Sequence, residues 1–252
     1  EGGRRIDAYN FFTRLGKRLI AVLNEVTSDG QVFRVDMRLR PYGDSGPLTC
    51  SLLSLENYFV TQGREWERYA WIKGRAMTGD EKGLMDLIMP FVYRKYLDYG
   101  AYQSMRELHA QIRREVARRD MADNIKLGPG GIREIEFICQ VFQLIRGGRH
   151  KALRSRSTLT MLSELENWGM LMPDAVAELR AAYVFLRNLE HRIMYLDDAQ
   201  TQMLPTSDED RARIASSMGF PDWNAFRNVL DAHRTIVTSH FELVFEDRKS
   251  TR

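Results

Sequence analysis

Between Asp7 and about Thr27, the apolar residues Phe11, Phe12, Leu15, Leu19, Ile20, Leu23 and Val26 recur at helical spacing. Asp29-Gly30 supplies a turn, and the period then changes. Over Arg34-Val35-Asp36-Met37-Arg38-Leu39-Arg40, apolar and charged residues alternate in twos. That alternation predicts a half-buried strand with Val35, Met37 and Leu39 toward a core. Pro41 ends the run, and Gly43-Asp44-Ser45-Gly46-Pro47 makes a turn-rich loop. A second helix is expected from a cap at Ser54, and a short aromatic-rich one over Arg64 to Arg75. Beyond Gly79 the period stays helical. The predicted helices are Asp80 to Tyr93, Tyr102 to Arg119, Ile132 to Arg146, Ser157 to Trp168, Pro173 to Leu196, Ser207 to Met218 and Asp222 to Phe245. Asn167-Trp168-Gly169 stops one of these, Pro173 starts the next, and Ser207 with Asp210 makes a capping box for another.

Two zones follow. Residues 1–78 read as the end of an α/β domain with one strand, and residues 79–252 as an all-helical bundle, so the fold class is mainly α. A lone strand cannot satisfy its edges, so its partners are expected outside this chain. The start, Glu1-Gly2-Gly3-Arg4-Arg5, is neither an initiator nor a signal peptide and reads as a cut into a longer protein.

The composition, 44% hydrophobic and 28% charged over 252 residues, is that of an ordinary globular chain. A net charge of +3 permits an anionic ligand without requiring nucleic acid. Cys50 and Cys139 stand far apart in no metal-ligand spacing, which favours a reducing, cytoplasmic setting. No apolar run reaches the roughly 18 residues of a membrane span.

Asp36 among Arg34, Arg38 and Arg40 offers what phosphoryl chemistry needs, a carboxylate for a metal and cations for phosphoryl oxygens. An exposed face of mutually satisfied charges would read the same way. Asp123 to Phe137 contains Lys126, the glycines 128, 130 and 131, and Arg133, and opens directly onto a helix. It suits an anion held by helix amides. It equally suits a loop that needs positive backbone angles before a helix with acidic residues in its first turn. No Lys-Ser or Lys-Thr follows the glycines, so it is not a Walker A loop. Arg113, Arg114, Arg118 and Arg119 are interleaved with Glu107, Glu115 and Asp120 and lack an aromatic platform, so a solvated helix face is expected there. The five histidines show no zinc spacing, and Asp208-Glu209-Asp210 suits helix capping. Ser45 in Gly-Asp-Ser-Gly has no histidine near it in sequence, so a serine protease is not expected.

Several runs together carry a resemblance. They are Phe11-Phe12-Thr13-Arg14-Leu15-Gly16, Val35 to Pro41, Gly43-Asp44-Ser45-Gly46-Pro47-Leu48, Trp66-Glu67-Arg68-Tyr69-Ala70, Asn124 to Phe137, and Val141 to Gly148. The chain resembles the amino-terminal half of the bifunctional glutamine synthetase adenylyltransferase/adenylyl-removing enzymes. That family has two similar halves, each a nucleotidyltransferase domain of the DNA polymerase β type followed by a helical domain. Asp36-Met37-Arg38, Gly43 to Gly46 and Gly131 to Glu136 are similar to the half that removes AMP. The resemblance implies that residues 1–78 end the nucleotidyltransferase domain and 79–252 form the associated helical domain. It implies phosphate-dependent removal of AMP from a tyrosine of glutamine synthetase, releasing ADP, with Mg²⁺ as the cofactor and ATP used by the parent enzyme.

On the motif match Asp36 is the third, catalytic and metal-holding carboxylate. Arg38 and Arg40, by strand alternation, are candidates to neutralise phosphate, and Lys126 and Arg133 are candidate phosphate or nucleotide ligands. The other two carboxylates belong to an upstream Gly-Ser…Asp-x-Asp motif. No Gly-Ser pair occurs here, so the isolated chain is expected to be inactive. Expected partners are glutamine synthetase and the PII signal protein, with neither nucleic acid nor membrane. The alternative is a helical interaction module that docks glutamine synthetase or PII. The uridylyltransferase relatives share the helical domain but fit the Asp-Met-Arg-Leu-Arg-Pro and Ile-Lys-Leu-Gly runs less well.

Overall fold

The computed structural model describes residues 6–95, 99–118, 121–196 and 201–246. The chain forms two compact units, residues 1–91 and 92–252, whereas the sequence pattern placed the change at 78/79.

In the first unit, α1 (Ala8–Asn24) starts at Asp7, whose carboxylate accepts from the Asn10 amide at 2.9 Å. None of its residues is buried, and Phe11, Phe12, Leu15 and Leu19 are each about half exposed. Ser51 caps α2 (Leu52–Thr61); Ser54, expected in that role, instead donates its amide to Ser51 Oγ at 3.1 Å. α3 (Glu65–Trp71) and α4 (Glu81–Val92, with Pro90 inside) complete the unit. Its core is small: Leu55, Tyr58, Phe59, Ile72 and Ile88, with Phe59 stacked on Phe91 at 4.0 Å. Glu67 is buried and doubly used, accepting from the Arg64 amide and from the Tyr58 hydroxyl, each at 2.8 Å. Two bonds to a carboxylate removed from water offset its desolvation.

The strand expected over 34–40 does not form, and no strand occurs among the described residues. The physical reason is the absence of a partner. The amides of Phe33 and Val35 go instead to the end of α1, at Leu23 O (2.8 Å) and Asn24 Oδ1 (2.9 Å). The period-two burial survives in part: Val35 and Met37 are half-buried, and Asp36 and Arg38 are exposed. At Leu39 it breaks. Leu39 was expected in the core and is 68% exposed, while Arg40 turns inward.

The second unit is a helical bundle around α6 (Ile132–Arg146), in which 11 of the 15 residues are buried. Apart from Glu134, Gln140 and Gln143 these buried residues are apolar, so neighbours must cover the helix on several sides. α5 (Tyr99–Arg118), α7 (Thr158–Asn167), α8 (Pro173–Tyr195) and α10 (Trp223–Glu246) pack on it, and α9 (Asp208–Ser217) packs on α8 and α10. Ser157 and Ser207 cap α7 and α9, and Pro173 occupies the first turn of α8. On α5, Arg118 holds Glu115 through two bonds of 2.7 and 2.9 Å, as a solvated face should; Arg119, Asp120 and the Arg113 side chain lie outside the described residues. No helix among the described residues is long and apolar enough to cross a membrane.

Candidate functional site

The first candidate centre is the segment that failed to become a strand. Arg38 folds back on Asp36: its backbone amide and its Nε donate to the carboxylate at 3.0 Å, and Nη2 donates at 2.5 Å. These bonds hold the Asp36 carboxyl at about 2, below its ordinary 3.8, the Arg38 side-chain hydrogen bonds being the main cause and its amide the next. Asp36 is therefore ionised at neutral pH and still partly open to water, as a ligand for a cation must be. Arg40 is spent differently. Its guanidinium donates to Met37 O (2.6 Å), Asp44 O (3.2 Å) and Gly46 O (3.3 Å), fastening residues 41–46 over itself. Within that loop Tyr42 adopts φ +63°, rare for a residue with a side chain, and its ring meets Tyr58 at 4.7 Å. Ser45 Oγ donates to Tyr42 O at 2.9 Å, a turn-holding role rather than a nucleophile's.

The Asp36 value carries a testable consequence. A depressed folded pKa gives a contribution that is complete above 3.8 and lost as pH falls through about 2. In Arg38→Gln, the Asp36 carboxyl is expected to titrate near its ordinary value, read by carboxyl-carbon NMR. A titration unchanged by the substitution would mean that Arg38 is not the cause.

Magnesium takes six oxygens, commonly one or two carboxylates with phosphates and waters. Asp36 supplies one such oxygen donor, and no group of three or more His, Cys, Asp or Glu residues among the described residues could hold a metal. Asp36 by itself does not make a magnesium site.

The second candidate centre is the glycine-rich loop before α6. Asn124, buried, accepts the amides of Lys126 (3.0 Å) and Leu127 (2.8 Å) on one oxygen. Ile125 and Leu204 bond across to Gln202 O and Asp123 O at 3.0 and 3.1 Å, tying the loop to residues 202–204. The amides that open α6 are already used: Ile132 bonds Ile125 O at 3.1 Å, Arg133 bonds Lys126 O at 3.0 Å, and Gly130 donates to Glu134 Oε2 at 3.0 Å. An anion would find these helix amides occupied by the loop. Of the two readings open in the sequence, the loop with a positive backbone angle, at Gly130 (φ +66°), and an acid in the first turn describes the backbone.

The side chains leave more room for chemistry. The Arg133–Lys126 backbone bond puts these residues side by side. Lys126 Nζ lies 3.6 Å from Glu190 Oε1, a buried carboxylate that Arg187 also pairs. Arg133 Nε is buried without a hydrogen-bond partner among the described residues. The residue that sequence reasoning missed is Arg234 of α10, 9% exposed. It donates Nε to Pro129 O (2.7 Å) and Nη2 to Ala122 O (2.6 Å), bracing the loop from more than a hundred positions away. Burial pushes its pKa below the usual arginine range, helped by the charge of Arg227. No local signal marks such a clamp.

An ionised carboxylate among arginines, as at Asp36, is a grouping that phosphoryl- and nucleotidyl-transfer chemistry uses. Two family models agree with that class: residues 1–86 match the one described as glutamate-ammonia ligase adenylyltransferase, and residues 106–245 the one described as GlnD PII-uridylyltransferase. A protein of Chromobacterium violaceum called bifunctional glutamine synthetase adenylyltransferase/adenylyl-removing enzyme is 66% identical over 97% of this chain, which covers 27% of that protein. Proteins of the same name from Aromatoleum aromaticum (61% identity, 98% of this chain, 26% of theirs) and Neisseria meningitidis serogroup B (54%, 100% and 28%) are similarly related. The chain belongs to the bifunctional glutamine synthetase adenylyltransferase/adenylyl-removing enzyme family and spans about a quarter of the length of these relatives.

Proposed function

We propose that this chain is the part of a glutamine synthetase-regulating enzyme that belongs to its adenylyl-removing half. The family rests on an identity of 54–66% over 97–100% of the chain to proteins whose name covers both activities, and the choice of half rests on the likeness of Asp36-Met37-Arg38, Gly43 to Gly46 and Gly131 to Glu136 to the half that removes AMP. In this reading residues 1–78 end the nucleotidyltransferase domain and residues 79–252 form its helical companion. The exposed apolar face of α1 and the unpaired 34–40 segment are then surfaces that the rest of the domain covers.

The reaction is phosphorolysis. An oxygen of inorganic phosphate attacks the phosphorus of an adenylylated tyrosine, the bond from phosphorus to the tyrosine oxygen breaks, and ADP and free tyrosine result. Asp36 is the catalytic carboxylate of this chain and would give one ligand to Mg²⁺ beside carboxylates contributed from elsewhere in the longer protein. Arg38, held beside Asp36, would supply positive charge for a phosphoryl oxygen. Arg40 shapes the adjoining loop and keeps its charge beside it. Lys126 and Arg133 are assigned to phosphate or nucleotide, with the unpartnered Arg133 Nε as the donor an anion would satisfy. Glutamine synthetase is the protein substrate, PII the signal partner, ATP the nucleotide of the opposing reaction, and the cytoplasm the setting.

The test compares two proteins. With magnesium, phosphate and adenylylated glutamine synthetase, the intact protein should form ADP while the isolated 252-residue chain forms none. ADP formation by the isolated chain would place a whole active site within it and overturn the shared-carboxylate reading. A second reading, a helical module that docks glutamine synthetase or PII, draws on the PII-uridylyltransferase description of residues 106–245. Asp36→Asn separates the two, because a docking module does not need that carboxylate.

A further inference from the structure

Between Glu136 and Glu164 the chain contains no carboxylate, yet residues 146–156 hold Arg146, Arg149, Lys151, Arg154 and Arg156. Arg146 ends α6, Lys151 and Arg154 lie on the 3-10 helix Lys151–Arg154 that follows, Arg149 lies in the turn between them, and Arg156 lies just beyond. One of them builds the turn. Arg154 donates to Gly147 O (2.6 Å) and Gly148 O (3.2 Å) and lies over the Tyr93 ring at 5.1 Å. Gly148 is pressed so closely to Arg94 O that a side-chain carbon there would sit 1.8 Å from it. The amides of Arg149 and His150 both reach Arg146 O at 3.0 Å, so the turn is tight.

What that construction leaves on the outside is positive charge. Arg149 donates Nε to Lys95 O at 3.2 Å, which also brings Lys95 to the same place. Arg149, Lys151 and Lys95 are exposed and Arg146 half-buried, and among the described residues no carboxylate pairs any of the four. By contrast, Arg38, Arg118, Arg187, Arg211, Arg213 and Arg227 all hold carboxylates. At the edge of the patch His150 packs on Trp168, ring centroids 4.2 Å apart, and Trp168 remains 48% exposed.

We propose that this basic turn, with Trp168 as its apolar anchor, is the docking surface for an acidic face of a protein partner. The partner is the glutamine synthetase of the reading above, on which this assignment rests. Charge complementarity selects an acidic partner. The aromatic-plus-arginine composition selects a protein, since such residues dominate interface energetics. A free phosphate would want enclosed donors, and Arg149, Lys151 and Lys95 are exposed. A nucleic-acid strand would want a series of stacking rings, and among the described residues Trp168 is the exposed ring at the edge of the patch.

The test uses the intact protein with adenylylated glutamine synthetase, in two double variants, Arg149→Glu with Lys151→Glu and Arg149→Gln with Lys151→Gln. Neither residue belongs to the proposed catalytic machinery. The charge reversal should raise KM for glutamine synthetase roughly tenfold or more and the neutral variant about threefold, with kcat within about twofold of wild type. Wild-type KM should climb with added salt, and that dependence should flatten in both variants. A wild-type KM and salt dependence in the neutral variant would overturn the docking surface while leaving the proposed function standing, whether or not the reversal folds. Binding of DNA or anionic vesicles lost in the variants, with KM unchanged, overturns it as well. A wild-type protein that neither binds nor processes glutamine synthetase overturns the proposed function and, with it, this partner.

Discussion

Asp36→Asn in the intact protein is expected to slow removal of AMP from glutamine synthetase about a thousandfold, while binding of glutamine synthetase changes little. The argument runs from charge. An amide keeps the shape and volume of the carboxylate but not the anion, and in the proposed reaction the cation at the reacting phosphorus would lose one of its few ionic ligands. Losses of that order are typical when a preorganised electrostatic group is removed from a reaction centre. Asp36 is poised for this work: it is ionised down to about pH 2, and Arg38 fixes its direction. The substitution should not unfold the protein, because Asp36 is exposed and its pair with Arg38 belongs to the surface class that adds little stability. The assay is single-turnover release of ADP beside a binding isotherm. A rate within about threefold of wild type would remove Asp36 from the catalytic centre, and parallel loss of binding and rate would point to a structural role.

The largest stability effect is expected at Arg234. Replacing it by Leu removes the donors for Pro129 O and Ala122 O and leaves two carbonyls unsatisfied in a part-buried loop. The expected cost is about 2–4 kcal/mol. Arg234→Lys keeps the charge but cannot span both carbonyls, so it should fall between the two. Gly130→Ala attacks the same joint from the other side. Its φ of +66° disfavours any side chain, and an added carbon would sit 2.1 Å from Arg234 O. Urea denaturation, followed by a signal from the helical unit, measures all three. Midpoints unchanged within error in Arg234→Leu would show that the loop does not depend on the clamp.

The sequence made the helices legible because each carries its own period and caps. α6 was expected at Ile132 to Arg146 and occupies those residues. Ser157, Pro173 and Ser207 start α7, α8 and α9 in the manner expected of them. The 34–40 segment was legible only in its alternation. A strand is a relation between two segments, and a period read along one segment cannot supply the other. Nothing among the described residues does so, and Leu39 and Arg40 exchanged the sides their order implied.

The candidate site was legible where the chemistry lies within a few residues, as with Asp36 and Arg38. It was not legible where distant side chains decide the outcome. The pattern of glycines ahead of a helix fits an anion cradle, yet Ile125, Lys126 and Glu134 take up the opening amides. Arg234 reads in sequence as one more charge on an amphipathic helix, and only tertiary packing makes it a brace.

The central claim, that this chain belongs to a phosphate-dependent adenylyl-removing centre, is tested most directly by following radiolabelled inorganic phosphate. The intact protein is incubated with adenylylated glutamine synthetase and labelled phosphate, and the nucleotide product is separated. The account predicts label in the β-phosphate of ADP, in step with the return of unmodified glutamine synthetase and absent in Asp36→Asn. Release of unlabelled AMP, or labelled ADP formed at the wild-type rate by Asp36→Asn, would contradict it.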